Sequence, residues 1–576
     1  MPRFKVCDYR QKLMIPVSLE EQLVPGTLEH AVHYLIEERV EDSWFEDLYA
    51  NDETGAPAYP PRMLLKIILF GYSRGLISSR KLERACRENV TFMALSCGEH
   101  PDHSTFADFV GKLDGRITAV FSEVLLICHE EGLLGGSHFS LDGLKLAANA
   151  SRENSGTFSE LRHKLEKLEA KLKEKIAEHA RHDREEKRAR RTRSSEDDDC
   201  TLQARRAEQS IERLRRKSER LREFLAENEP KEGARREVQS NVTDNDSCRM
   251  HTSHGTIQGY NAQALVDSRH QVIVHGEAMG AGQDYRHVGP MLEGAAENLE
   301  GAGIAQEMPL SGATFSADCN YHSHENLAAC VEAGVDAYIP DTNFRKRDPR
   351  FATQERHKPK AQQSEPHRLG LEHFSYDQAT DSYRCPRGKV LRLEAATTCD
   401  QRGNLYRRYQ ARREDCEACP LREQCIQRGG TRRTLHIPKH GGEHPPTLSQ
   451  QMRAKIDLPE SRQIYAQRLA IVEPVFANIR TAKGLNRFTY RGKDKVNTQW
   501  LLYCLVHNLE KIANYGLQWL EKAVLTNYQR LQTLVMRVVR AFLLALHGFL
   551  HLCRLISSIN LLIPPAPPET LIRQLR

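Results

Sequence analysis

The chain has 576 residues, too many for one compact domain, so several domains or one domain with large insertions are expected. Hydrophobic residues make up 39% and charged residues 28%, a balance that suits a soluble globular protein with solvated helical segments. The net charge of +6 is modest for this length and does not by itself argue for nucleic acid; its distribution matters more, and the basic residues cluster late in the chain.

The opening residues, MPRFKVCDYRQKL, have no apolar signal core, so export is not expected and most of the fifteen cysteines read as reduced thiols. Residues 15–135 read as mostly helical. The run PPRMLLKIILFGYSRG opens on prolines suited to a first helical turn and continues apolar at helical spacing. Ser78 or Ser79 is the expected N-cap of the next helix, and Ser104 or Thr105 that of the one over FADFVGKL. Short capped helices fit a helix-turn-helix-like module or an ordinary helical bundle.

SHFSLDGLKLAANAS alternates after Gly135-Gly136 and predicts a strand carrying Asp142. Residues 158–229 then turn rich in Glu, Lys, Arg and Leu. Phe158, Leu161, Leu165, Leu168, Leu172 and Ile176 recur at three- and four-residue steps, as do Ile211, Leu214, Leu221 and Leu225 after a polar gap. That pattern predicts an antiparallel helical hairpin or short coiled coil with a solvated charged face. Residues 255–277 predict a β-hairpin turning near Asp267-Ser268, followed by a helix from about Tyr285 to Leu299. ATFSADCNY predicts a strand delivering Asp318, and the helix and strand after it imply a mixed α/β core. Residues 343–450 read as basic and loop-rich. IYAQRLAIVEPVFANIR (464–480) predicts a helix that Pro474 kinks or restarts, and residues 497–519 another amphipathic helix. The apolar stretch 531–556 is interrupted by Arg537, Arg540, His547, His551 and Arg554, so it reads as an amphipathic helix and not as a membrane span.

Asp142 and Asp318 sit in otherwise apolar strands, where a carboxylate is costly unless paired or metal-bound. By chemistry alone Asp244, Asp246 and Asp267 are equally eligible. FSLDGLKLAANAS, GYNAQALVD, FSADCNYHSHENL and YAQRLAIVEPVFANIR, in that order, resemble the blocks of bacterial insertion-sequence transposases of the DDE class. YPPRMLLKIILFGYSRGLISSRKLERAC and RFTYRGKDKVNTQWLLYCLVHNL resemble the flanking blocks of the same family, so the resemblance covers about residues 15–515.

The resemblance implies an α/β fold with an RNase H-like mixed sheet, and catalytic Asp142, Asp318 and Glu473 holding Mg²⁺ or Mn²⁺. It also places Tyr465 and Arg468 before the glutamate and Arg480 after it, all three expected among the DNA-contacting residues. Ala477 stands where relatives carry glycine, a departure that would matter only if the backbone needs positive φ there. Basic residues beside this helix, Arg480, Lys483, Arg487 and Arg491, are expected to contact DNA phosphates. Cys385, Cys416, Cys419 and Cys425 form C-x30-C-x2-C-x5-C, a donor set for structural zinc or else reduced core thiols. Their segment is also rich in Arg and Tyr, a mix able to grip phosphates and stack on bases.

The expected layout is a helical DNA-binding domain at 1–134, core at 135–157 and 236–342, the charged hairpin at 158–235, a basic cysteine insertion at 343–455, the glutamate helix and end of core at 456–520, and an amphipathic tail at 521–576. The expected activity is metal-dependent cleavage at an element's ends and strand transfer into target DNA. The partners are then terminal inverted repeats, target DNA and a second copy of the chain, with no membrane, in the bacterial cytoplasm at the nucleoid. A metal-dependent nuclease of the same fold, or a DNA-binding protein without activity, are the alternatives.

Overall fold

Helices α1 (Leu28–Arg39), α2 (Pro61–Ser73), α3 (Ser79–Glu88), α4 (Val90–Leu95), α5 (His103–Leu113) and α6 (Arg116–Glu130) lead the chain. The computed structural model describes residues 17–49, 57–190, 198–232, 237–253, 255–304, 309–351, 354, 369–399, 405–426, 429–438 and 447–516. The expected tail at 521–576, with its 531–556 stretch, lies outside the described residues. Proline occupies the first turn of α2, where a missing N–H costs nothing. Ser78 caps α3, accepting from the Lys81 N–H. The cap of α5 is Asp102, upstream of the expected Ser104 or Thr105; its carboxylate accepts from the Ser104 N–H at 2.8 Å, and an anion suits a helix N-terminus better than a hydroxyl.

Strand β1 (His138–Ala147) enters the central sheet. Two short strands, β2 (Ser155–Gly156) and β3 (Ser240–Asn241), clasp the root of the inserted hairpin, α7 (Phe158–Arg190) and α8 (Asp198–Glu227). Phe158 and Leu161 pack on Leu221 and Phe224, and Glu169 pairs with Arg222, so the two helices run antiparallel as their heptad-like spacing predicts.

The sheet continues with β4 (Cys248–Thr252), β5 (Gly255–Asp267) and β6 (Ile273–Met279). After α9 (Val288–Gly301) come β7 (Thr314–Ala317), α10 (His324–Glu332) and β8 (Asp336–Tyr338). β5 lies antiparallel to β1, with β4 and β6 sharing its far edge; β7 is parallel to β1, and β8 parallel to β7. Parallel neighbours need a crossover, which α10 supplies between β7 and β8. This is the mixed α/β arrangement expected of an RNase H-like core.

Beyond α11 (Phe344–Arg347) the segment expected to be loop-rich is instead a five-stranded antiparallel sheet: β9 (Ser375–Asp377), β10 (Ser382–Arg384), β11 (Val390–Cys399), β12 (Leu405–Ala411) and β13 (Thr434–Pro438). Alternation in VLRLEAATT and LYRRYQA drives it, and buried Phe374, Leu391, Tyr409 and Leu435 form its own core. Two short helices, α12 (Arg413–Glu417) and α13 (Arg422–Cys425), sit between its last strands.

The chain returns to the main body through α14 (Leu448–Ile456), α15 (Pro459–Ala466), α16 (Arg468–Ala477), a π turn at Asn478–Ala482 and α17 (Lys493–Tyr515). The expected break at Pro474 falls instead at Gln467, and Pro474 lies inside α16. The reason is local. Proline removes the donor to the Ala470 carbonyl, and the Gln271 side chain replaces it, donating Nε2–H at 2.9 Å. Ala477 has φ −61, so the missing glycine creates no strain. The buried helix α17 packs on β6, α2 and α6, and one continuous hydrophobic core joins the sheet to the N-terminal helices.

Candidate active site

The parallel register of β1 and β7 pairs Leu141 with Ala317, so the next residues, Asp142 and Asp318, lie side by side. Asp318 leaves β7 and caps a single 3-10 turn, accepting from the Asn320 N–H at 2.9 Å and its Nδ2–H at 3.0 Å. Asp142 accepts from the Gly143 N–H at 2.8 Å and from Arg468 Nη1–H at 2.8 Å. Both aspartates line an open cleft of roughly 620 Å³, together with Asp284, Asn261, Asn320, Arg480 and Asn486. Burial, and then the neighbouring Asp142, push the Asp318 carboxyl up to about 6. Arg468 is itself buried, and the Asp142 charge helps hold its guanidinium protonated against desolvation.

Glu473 rides on α16, which packs beside β1. The face of α16 carrying Arg468, Ile471, Val472 and Val475 is buried, whereas Glu473 is exposed and does not line the cleft. Arg480, in the π turn, does line it. Tyr465 is half-buried, edge-on to Phe344 at 5.6 Å, with the Arg468 guanidinium 6.0 Å from its ring.

Two of the expected DNA-contacting cations are corrected: Arg468 is buried and paired with Asp142, and Lys483 is buried as well. Its side chain is fully buried, its ammonium pairs with Glu510 at 2.6 Å, and burial lowers its pKa, so it has no free surface to offer a phosphate. Arg487 and Arg491 are exposed and anchor the loop after β1: Arg487 Nε–H donates to the Ala148 carbonyl, and Arg491 Nε–H to that of Asn149.

The rival acids have structural occupations. Asp244 accepts from the Tyr260 hydroxyl and the Gly492 N–H, Asp246 from the Lys493 N–H, and Asp267 from the N–H groups of Gly135, Gly136 and Arg269. Asp284, which sequence reasoning passed over, lies in the cleft. Its only sequence signal is a Gly-rich loop, GAGQD, after a strand. Among the described residues the one set of three His, Cys, Asp or Glu side chains with ligand atoms within 4.8 Å of one another is Glu83, Asp102 and His103, away from the cleft, and Arg87 and the α5 N-terminus already occupy its acids.

Cys385, Cys416, Cys419 and Cys425 all belong to the five-stranded sheet unit, as free thiols. Cys425 feels the other three electrostatically, and burial raises its pKa. Cys385 heads a tight turn in which the Gly388 N–H donates to its carbonyl at 2.8 Å, Gly388 itself adopting φ 74. Cys419 N–H donates to the Cys416 carbonyl at 3.5 Å, forming a second, looser turn.

A family model described as transposase DDE domain matches residues 384–513, spanning the cysteines, Glu473 and α17. A second, described as transposase domain (DUF772), matches residues 17–112, the N-terminal helices. No curated protein matches the chain. No helix among the described residues is long and apolar enough to cross a membrane.

Proposed function

We propose, from the premise that the chain belongs to the insertion-sequence transposases of the DDE class, that Asp142, Asp318 and Glu473 are its catalytic carboxylates and Mg²⁺ or Mn²⁺ the ion they hold. Transposases of this class cleave DNA and transfer strands with the help of a divalent metal. The observation that carries the residue assignment is the side-by-side placement of Asp142 and Asp318, with one carboxyl pushed up to about 6. Two crowded carboxylates of this kind are relieved by a divalent cation, and an all-oxygen donor set suits Mg²⁺ or Mn²⁺. When bound, such an ion activates a water or 3′-hydroxyl and stabilises the departing oxygen.

The chain's own residues then do the positioning. Arg468 orients Asp142 through its 2.8 Å bond, and Tyr465 packs beside that guanidinium. Arg480, at the cleft, grips the phosphate being cut; Arg487 and Arg491 extend the basic strip along the DNA. Glu473 lies on the exposed face of α16, between the break at Gln467 and the π turn, and its place in the set rests on the family block that it occupies. The four thiols, on the β10–β11 turn, in α12 and α13 and between those helices, are soft donors of the kind structural zinc takes. DNA ends and target DNA are the partners, and pairing two ends requires two copies of the chain.

The test is strand transfer of end-sequence DNA with Mg²⁺ or Mn²⁺. Joined product is expected from the native chain, and a loss of at least about a thousandfold in Asp142→Asn, Asp318→Asn and Glu473→Gln while DNA binding persists. Normal joining by any of the three would remove that residue from the assignment.

A further inference from the structure

We propose that Asp284 and Asn261 form an additional oxygen-donor subsite in the cleft, contributing to the hold on the divalent cation beside Asp142 and Asp318. The inference rests on the reading of those two aspartates as metal ligands. Asp284 lies in the loop between β6 and α9, is 9% exposed, lines the same cleft, and is close enough for its charge to act on Asp318.

Its Oδ1 is held by two amides from alternate positions of β5: Asn261 Nδ2–H at 2.6 Å and Gln263 Nε2–H at 3.1 Å. No hydrogen bond among the described residues uses its Oδ2.

Asn261 supplies the independent observation. It is 1% exposed and lines the cleft, yet its Oδ1 has no hydrogen-bond partner. The amide cannot be reversed at no cost, because an ionised carboxylate accepts and never donates, so Nδ2 must face Asp284. The carbonyl oxygen is thereby left without a partner, buried over Gly143 at the wall of the cleft. A buried acceptor without a partner is costly, a cost that a bound cation would remove.

The neighbours brace this arrangement. The Tyr321 hydroxyl donates to Gln263 Oε1, and Trp500 Nε1–H to the Gln263 carbonyl at 2.9 Å. Tyr321 closes the 3-10 turn that Asp318 opens, so one network ties Asp284 to Asp318. Gly143, next to Asp142, has no side chain because a Cβ there would overlap both Gln263 and Asn261. One carboxylate oxygen and one amide oxygen are hard donors of the kind Mg²⁺ and Mn²⁺ take.

The experiment is a Mn²⁺ titration of the full chain without DNA, with free ion followed by electron paramagnetic resonance and folding checked by thermal unfolding. Asp284→Asn and Asn261→Ala are each expected to weaken Mn²⁺ binding by about 10–100-fold. Native-like affinity in both would overturn the subsite. Should Asp284→Asn fail to fold, Asn261→Ala decides alone. Asp142→Asn and Asp318→Asn separate the two readings. If these lose Mn²⁺ while the Asp284 and Asn261 variants keep it, only the subsite falls. If all four bind as the native chain does, the metal reading of the aspartate pair falls with it.

Discussion

Asp318 carries its charge at a cost that the rest of the cleft imposes on it. Its carboxyl is raised from 3.8 to about 6, first by burial and then by Asp142. A carboxylate raised in the folded state contributes stability that is complete below the unfolded value and lost as pH rises through the folded one. The metal-free chain should therefore gain stability from this group as pH falls from 7.5 through 6. Asp318→Asn should stabilise the metal-free chain at pH 7.5, on the order of 1–2 kcal/mol after allowance for solvent screening, while abolishing strand transfer. Thermal unfolding at pH 7.5 and pH 5 checks this; an unchanged or lower midpoint for the variant at pH 7.5 would count against it. Metal affinity should weaken as pH falls through about 6, because protons and cation compete for the same oxygens. Lys483 makes a second residue-scale case. Removing it as Lys483→Ala takes away the cation that neutralises Glu510 and leaves the Asn478 amide as its donor, so the chain should lose about 3 kcal/mol in chemical denaturation. DNA affinity of the folded fraction should be unchanged, unlike that of Arg480→Ala.

Among the elements, α16 shows how a sequence rule can hold while its expected consequence moves elsewhere. Pro474 does delete a backbone donor, but Gln271, reaching from the β5–β6 turn, satisfies the orphaned carbonyl, so no kink is needed. Gln271 adopts φ 61 there, and Lys511 and His507 also hold it, the first at its side chain and the second at its carbonyl. The five-stranded sheet is the opposite case. Its strands alternate visibly, in Leu391 and Leu393 or Tyr409 and Ala411, but the density of arginine masks the pattern. Four cysteines at scattered spacing come within electrostatic reach of one another because α12, α13 and the β10–β11 turn pack on that sheet, although no three of their sulfurs lie within 4.8 Å of one another. Zinc analysis of the purified chain should return about one ion per chain, and a Cys416→Ser, Cys419→Ser double variant should lose it along with cooperative melting of this unit. Metal-free protein with unaltered melting would leave the four as core thiols.

At the scale of the whole molecule, a buried helix, α17, joins the sheet to the N-terminal helices in one core, so the segment matched as a separate transposase domain is not an appendage. The hairpin α7–α8 is different. Its apolar contacts gather near its base, and the rest of its length is charged and solvated. Such a projection can be removed without opening the core, so deleting 158–229 with a short linker should leave a folded, metal-binding chain. If the hairpin is the contact between two copies, sedimentation should show the deleted form as a monomer. An unchanged oligomeric state would exclude it as that contact.

Periodicity was enough to define the strand under Asp142, the strand leading into Asp318, the hairpin helices and the capped N-terminal helices, because each depends on neighbours two to four residues away. The ordered blocks were enough to indicate the family. Neither could choose Asp142 and Asp318 over Asp244, Asp246 and Asp267, since all five are acids on or beside strands. In the tertiary structure Asp244, Asp246 and Asp267 are tied to the Tyr260 hydroxyl and to backbone N–H groups, whereas Asp142 and Asp318 lie side by side in parallel register across 176 residues of chain, which is what favours that pair. It also buried Lys483, exposed Glu473 and brought Asp284 and Asn261 into the cleft. Those outcomes are set by which surfaces meet when the sheet closes, and the spacing of residues along one chain carries no record of that.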